Sequence, residues 1–179
     1  DILIMECTYG RPHYRLPPRN EVINKLFELV CAALAEGKTP VIHAYPLGKS
    51  QEVTKLLTAR GVPVLQHPLI YEISLIYHRC GVDLGDCAVF QSESLNGHAV
   101  VTLPRGSRNF RLPELGKTVS IAVTGWAADA HTKDRLGVDH ALPLSDHADY
   151  DQLIQAVHRV GPREVYCTHG PAEFVEDLR

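Results

Sequence analysis

Three titratable side chains stand at points where apolar, strand-forming runs of the sequence end. Glu6 closes the first such run, and His147 and His169 each follow a later one. In a parallel α/β sheet the carboxyl ends of the strands lie at one edge, so we expect the three side chains to converge there. A carboxylate beside a histidine fixes the tautomer and the orientation of the ring, which is the arrangement that a general acid or base requires.

Each of these residues also has an ordinary structural interpretation, and spacing alone leaves both open. A histidine at a strand end is often a half-buried capping side chain, and a glutamate there is often solvated. Lys49 and Ser145 are candidates for contacting a phosphate of the substrate. The alternatives are a solvated lysine on a capped helix and, for Ser145, a helix-capping role. Trp126, the single tryptophan, is a candidate for stacking on a base, with burial in the core as its alternative.

The elements that hold these residues follow from the periodicity of the apolar positions. Asn20 is the predicted N-cap of the first helix. The predicted strands cover residues 1–5, 40–44, 62–65, 87–91, 98–103, 119–124, 140–144 and 164–168. The predicted helices cover residues 20–35, 50–60, 69–79, 148–160 and a last segment from 172. This alternation predicts an α/β fold with a mainly parallel sheet.

Composition narrows the class of protein. The 179 residues carry a formal charge of −3, which gives no overall attraction to nucleic acid. Phosphate contacts would then come from local basic groups, for which the candidates are Arg11, Arg15, Arg19, Arg105, Arg108 and Arg111. Five scattered cysteines without a C-x-x-C pair indicate reduced thiols in a cytoplasmic protein. No apolar run has the length of a transmembrane helix, so we expect no membrane partner.

Several segments resemble the β-CASP nucleases of the metallo-β-lactamase fold. Four of them are similar to motifs of that family and occur in the family's order along the whole chain: Glu6–Gly10, Ala44–Glu52, Ser145–Asp149 and Thr168–Gly170. Among the subgroups, the segments Tyr14–Pro18 and Thr124–Trp126 look most like the bacterial DNA-ligase-associated exonucleases. No single segment is specific, but the ordered set is.

The resemblance implies a zinc-dependent nuclease. In such enzymes two zinc ions hold a hydroxide for attack on a phosphodiester. His169 matches a ligand of the second metal site, His147 matches the histidine that protonates the leaving oxygen, and Glu6 matches the carboxylate that hydrogen-bonds this histidine. The implied organisation is a metallo-β-lactamase-fold strand and motif at 1–12, a β-CASP-like subdomain at 13–138 and a C-terminal metallo-β-lactamase-fold segment at 139–179.

One departure from the family is large, because no His-x-His-x-Asp-His motif occurs in the chain. A single histidine cannot hold zinc in the three- or four-ligand manner that such sites need. We therefore expect these 179 residues to bind zinc weakly or not at all and to be inactive alone. A fragment of a longer nuclease and a genuinely reduced protein are the two explanations, and we favour the fragment.

The intact protein is expected to be an exonuclease in repair that acts on DNA rather than RNA. The alternatives are a non-catalytic nucleic-acid-binding module and a metallo-hydrolase of small molecules. If the chain is a fragment, the face that its missing part would cover should be exposed and apolar. Such a face should also promote homo-oligomers.

Overall fold

A computed structural model describes residues 1–91, 95–107 and 115–178. It confirms an α/β fold in which the strands of both sheets pair in parallel. The strands are β1 Ile2–Glu6, β2 Thr39–His43, β3 Val64–Gln66, β4 Cys87–Val89, β5 Ala99–Thr102, β6 Thr118–Val123, β7 His140–Leu142 and β8 Glu164–Thr168. The helices are α1 Arg19–Ala35, α2 Lys49–Thr58, α3 Pro68–Arg79, α4 Thr132–Leu136, α5 Tyr150–Val160 and α6 Phe174–Asp177, and a 3-10 turn covers Gly125–Ala128.

The chain forms two compact units, and the larger one comprises Pro18–Leu144. Its six-stranded sheet has the order β4-β3-β5-β2-β6-β7. The central strands are buried almost throughout, as their continuous apolar runs predict for a parallel sheet. Helix α1 contributes one apolar stripe to the core, at the helical spacing expected from the sequence: Val22, Leu26, Val30 and Ala33.

Three details of this unit differ from the predictions. Helix α1 begins at Arg19 with Pro18 in the N-cap position, so the assignment of Asn20 as N-cap was wrong. Pro18 ends the irregular segment because its ring fixes φ and its missing N–H is not needed there. The short helix α4 was not predicted, since its five residues are mostly polar. Strand β7 pairs with β6, so the larger unit extends past the predicted boundary at 138.

The smaller unit combines Asp1–Pro17 with the described residues from Ser145 onward. Strands β1 and β8 pair in parallel, from Ile2 beside Glu164 to Glu6 beside Thr168. One face of this pair packs on a small core of Cys7, Leu153 and Phe174. The opposite face exposes the side chains of Ile2, Ile4 and Tyr166. The smaller sheet is therefore covered on one face only within the described residues.

All five cysteines are free thiols. Burial, together with the neighbouring Cys167, raises the pKa of Cys7 to about 11, so Cys7 is a protonated core thiol. No helix in the part of the chain that the structure describes is long and apolar enough to cross a membrane.

Candidate active site

Glu6 and His147 form the centre of the candidate site in the smaller unit. The Nδ1 atom of His147 lies 3.2 Å from Oε1 of Glu6, although 141 residues separate the two in sequence (147 − 6). The predicted contact is confirmed. Because the carboxylate accepts from Nδ1, the hydrogen-bond partner assigns the ring proton to that atom and leaves Nε2 for exchange with a ligand.

Both carboxylate oxygens of Glu6 have a donor. The backbone N–H of Thr8 donates to Oε2 at 2.8 Å, while His147 faces Oε1. Partial burial acts to raise the pKa of Glu6, but hydrogen bonds from the Thr8 hydroxyl, the Thr8 amide and His147 together outweigh it. The pKa of Glu6 consequently lies below its ordinary value, and Glu6 is a carboxylate at neutral pH.

The His147 ring and backbone have two further contacts. The backbone N–H of His147 donates to the hydroxyl oxygen of Ser145 at 3.0 Å. The buried ring of Tyr9 packs edge-on against the imidazole, with ring centres 5.8 Å apart and an interplanar angle of 86°. Tyr9 in turn packs against Tyr14, and Tyr14 packs against His13, so a chain of ring contacts connects His13 to the site. These contacts favour one orientation of a side chain that is half exposed.

The loop that carries His147 is anchored where helix α5 begins. Asp149, rather than Ser145, is the N-cap, and its side chain accepts from the backbone N–H of Gln152 at 2.9 Å. The same carboxylate accepts from the backbone N–H of Leu16 at 3.1 Å. The N–H of Tyr150 donates to the carbonyl of Tyr14 at 3.0 Å. These hydrogen bonds hold the segment after β1 against the start of α5. Both segments belong to the smaller unit, which also contains Glu6.

His169 follows β8 directly, and its strand neighbour Thr168 pairs with Glu6. The backbone of His169 has φ of 55°, a left-handed conformation that costs a residue with a side chain about 1–2 kcal/mol. The next residue, Gly170, lies so close to Cys7 that an added Cβ would stand 2.0 Å from the Cys7 carbonyl oxygen. Backbone strain of this kind tends to concentrate at functional sites. The metal-binding role of His169 stays a prediction.

Three of the predicted phosphate contacts lie in the larger unit or outside the described residues. Lys49 belongs to the larger unit, where its side chain is buried and its Nζ lies 2.6 Å from Oε2 of Glu52. A phosphate would reach this ammonium only if the ion pair opened, so phosphate binding by Lys49 stays a prediction. Arg108 and Arg111 lie outside the described residues.

The residues present do not complete a metal site. Across residues 1–91, 95–107 and 115–178, no three His, Cys, Asp or Glu side chains are grouped as a metal ion would require. His169 alone does not fit the three or four ligands of a zinc centre. What the described residues can perform is proton transfer at Nε2 of His147, with Glu6 as the orienting partner.

Three residues that shape the site have no role that the sequence alone predicts. Thr8 holds Glu6, Tyr9 packs on His147, and Gly170 admits the backbone of Cys7. All three stand inside the segments that resemble family motifs. Their presence in those segments was the available signal, but the contacts depend on the pairing of the two ends of the chain, which local sequence does not specify.

Comparisons with known proteins find similarity over part of the chain and over all of it. Residues 135–179 match the family described as the Zn-dependent metallo-hydrolase RNA specificity domain. A probable DNA ligase of Opitutus terrae is 35% identical over all of this chain, which corresponds to 18% of the ligase. RNase aCSPSF2 of Saccharolobus solfataricus is 33% identical over 40% of this chain and 14% of that protein. These similarities support the resemblance of the chain to the β-CASP metallo-hydrolases.

Two of these relatives are named for nucleic-acid chemistry, one as a probable DNA ligase and one as an RNase. An uncharacterized protein of Synechocystis is also similar, at 24% identity over 99% of this chain and 39% of that protein. The chain spans less than half the length of each of these relatives. Similarity alone therefore does not assign the activities of these longer proteins to residues 1–179.

Proposed function

We propose that the chain provides the general-acid side of a zinc-dependent nuclease that hydrolyses phosphodiester bonds of DNA. The contact of 3.2 Å between Glu6 and His147 is the observation that carries the proposal. Glu6 holds the ring by Nδ1, and protonated His147 gives the proton on Nε2 to the leaving oxygen of the cleaved bond. Such proton donation contributes on the order of 10²–10⁴-fold in rate.

The choice of DNA rests on the relatives. The similarity to a probable DNA ligase covers the whole chain, whereas the similarity to RNase aCSPSF2 covers 40% of it. RNA is the second candidate, favoured by that RNase and by the description of the matched domain.

We further propose an exonuclease of DNA repair that works in the cytoplasm. DNA and RNA strands of the same sequence, labelled at either end, distinguish the substrate and the direction of cleavage.

For zinc, we propose that His169 is one ligand and that the others lie outside residues 1–179. On this proposal the chain alone binds zinc weakly and does not cleave nucleic acid. Metal analysis of the purified chain after dialysis tests the first statement, and a nuclease assay with added zinc or manganese tests the second. Tightly held stoichiometric zinc, or clear cleavage by the chain alone, would contradict the proposal.

Substitutions in the whole polypeptide that the gene encodes distinguish the roles of His147 and His169. His147→Ala should lower the rate of cleavage by about 10²–10⁴-fold and leave the metal content near normal. His169→Ala should lose metal as well as activity. His158→Ala is the matched control, because His158 is an exposed histidine on α5 of the same unit. Equal metal loss in the His147 and His169 variants would show that the roles are wrongly assigned.

The exposed apolar face of β1 and β8 supports one further part of the proposal. We propose that this face brings copies of the isolated chain together as a homo-oligomer, because buried apolar area stabilises association. The side chains involved are those of Ile2, Ile4 and Tyr166, which are 61%, 71% and 55% exposed.

A further inference from the structure

A cavity lies at the carboxyl ends of β2 and β6 in the larger unit. The chain leaves β2 through α2 towards β3 and leaves β6 through α4 towards β7, and these strands lie on opposite sides of the β2–β6 pair. Such a reversal of strand order opens a crevice at the carboxyl edge of a parallel sheet, and ligands of open α/β sheets bind there. The cavity therefore lies where ligands of such sheets bind.

The interior of the cavity is small and mostly apolar. It has a volume of about 90 Å³, enough for one planar ring but too small for a whole nucleotide. The apolar walls come from Ala44, Pro104, Ala122, Val123, Trp126 and Leu136. His43 also lines the cavity, and its Nδ1 lies 3.0 Å from the carbonyl oxygen of Leu103. Burial lowers the pKa of His43, so its ring is neutral near pH 7.

Two arginines stand at the exposed rim of this cavity. Arg105 donates to the carbonyl oxygen of Gly137, and Arg135 donates to the hydroxyl of Thr132 at 3.0 Å. Both acceptors are neutral, so these bonds position the guanidinium groups without cancelling their charge. The ion pair of Arg135 with Asp129 is long, at 3.9 Å, and largely exposed. The rim thus combines positive charge with several donors in a planar arrangement that suits a phosphate.

An open groove continues from the cavity. It has a volume of about 690 Å³ and shares Tyr45 and Pro104 with the cavity wall. Tyr45 is half exposed, and Leu69 and Ile73 add apolar surface beyond it. The groove offers room for a sugar or for further nucleotides of a strand, beside aromatic and apolar surface.

We propose that this cavity binds a nucleoside monophosphate, with the base inside against Trp126 and the phosphate at Arg105 and Arg135. An apolar slot of ring size supplies the stacking surface, and the two guanidinium groups supply the charge-assisted hydrogen bonds. The same chemical unit occurs as a free mononucleotide and as the terminal nucleotide of a strand. The site uses neither Glu6 nor His147 and is independent of the proposed nuclease chemistry.

The single tryptophan of the chain makes the test direct, because Trp126 lines the cavity and its selective excitation reports on no other residue. The purified chain is titrated with thymidine 5′-monophosphate, with thymidine and with inorganic phosphate. We expect a saturable change of emission with the monophosphate, at concentrations at least about tenfold lower than with either part alone. No saturable change with the monophosphate, or equal binding of inorganic phosphate, would overturn the proposal.

Substitution of Arg135 tests the phosphate contact at the rim, and substitution of Arg79 is its control. Arg135→Gln should weaken the binding of the monophosphate about tenfold or more, since a charge-assisted hydrogen bond is lost. Arg79→Gln changes the charge equally at the end of α3 and should leave binding unchanged. If Arg135→Gln loses its far-ultraviolet circular dichroism, Arg105→Gln carries the same test. Equal weakening by the Arg79 substitution would assign the effect to overall charge and overturn the site.

A final comparison separates the two sources of the ligand and keeps the site distinct from the nuclease proposal. A 5′-phosphorylated thymidine decamer that binds tighter than the mononucleotide identifies a strand end, whereas tighter binding of the mononucleotide identifies a free nucleotide. Either result supports the shared site. In the purified chain, His147→Ala should bind the monophosphate as the unsubstituted chain does. Intact binding there, together with loss of cleavage by the same substitution in the whole polypeptide, would leave this inference standing.

Discussion

The two parallel sheets of the molecule differ in how they are covered. In the larger unit every residue of β5 is buried, and β5 contributes to two apolar clusters, Ala99 and Val101 to one and Val100 to the other. In the smaller unit alternate residues of β1 and β8 are exposed, and Ile4 reaches 71% exposure beside Tyr166 at 55%. Parallel sheets in proteins are normally covered on both faces. The candidate active site therefore lies on the less covered sheet, and the candidate nucleotide cavity lies on the fully packed one.

This difference has consequences for the two sites. In the larger unit, neighbouring strands and helices pack against the cavity walls and constrain them, in addition to hydrogen bonds such as that of His43 to Leu103. In the smaller unit a few specific contacts hold the site: the pair of Glu6 and His147, the cap at Asp149 and the close approach of Gly170 to Cys7. Single substitutions should then have large and local effects in the smaller unit.

The largest effect is expected from Gly170→Ala. The added Cβ would lie 2.0 Å from the Cys7 carbonyl oxygen, so the backbone after β8 must move away from β1. We expect a loss of about 3 kcal/mol in the free energy of unfolding of this unit. Hydrogen exchange should rise in β1 and β8 more than in β2 and β5.

Gly161→Ala is the matched control for this substitution. Gly161 has φ of 58° with open space around it, so alanine there meets only the backbone penalty of about 1 kcal/mol. Unchanged exchange of β1 and β8 in the Gly170 variant, or equal effects of the two substitutions, would contradict the close approach of Gly170 to Cys7.

A smaller effect is expected from Ile4→Lys on the uncovered face. If that face joins copies of the chain, the substitution removes about 2 kcal/mol of apolar burial and weakens self-association more than tenfold. Ile76→Lys is the control, because Ile76 is 56% exposed on α3 of the larger unit. Sedimentation velocity over a range of concentrations measures the association. A monomeric unsubstituted chain, or equal dissociation of both variants, would show that the face does not self-associate.

Local sequence predicts the fold better than it predicts the site. Continuous apolar runs predicted the eight strands that the described residues form, and helical stripes predicted the longer helices, because each of these elements buries a pattern that its own residues carry. The five polar residues of α4 carry no such pattern. The register of β1 beside β8 joins residues more than 160 positions apart, so the roles of Thr8, Tyr9 and Gly170 emerge only when that pairing is known. Lys49 is a residue whose environment local sequence did not predict. It was expected to be solvated or to bind a phosphate, but it is buried in an ion pair with Glu52.

The smallest effect on stability is expected from one carboxylate in each unit, Asp139 in the larger unit and Glu6 in the smaller one. Hydrogen bonds from the hydroxyl and amide of Ser120, at 2.6 and 2.7 Å, hold the pKa of Asp139 below its ordinary value. At Glu6 partial burial opposes the shift, but Thr8 and His147 lower the pKa nevertheless. In both cases the folded chain binds its proton less readily than the unfolded chain does. The carboxylates should therefore contribute stability at neutral pH that is lost in acid.

For Glu6 the pH range over which this stability is lost follows from the direction of the pKa shift. Its contribution is complete above the unfolded pKa of 4.5 and disappears as the pH falls through the lower folded value. Glu6→Gln should lower the free energy of unfolding at pH 7 by less than about 1 kcal/mol, because solvent screens the partly exposed pair, and the difference should vanish in acid. Asp139→Asn should likewise lower the free energy of unfolding at pH 7, and this difference should vanish as the pH falls below 3.8. Carbon NMR titration of the Glu6 carboxyl measures the pKa directly, and a value at or above 4.5 would mean that desolvation outweighs Thr8 and His147.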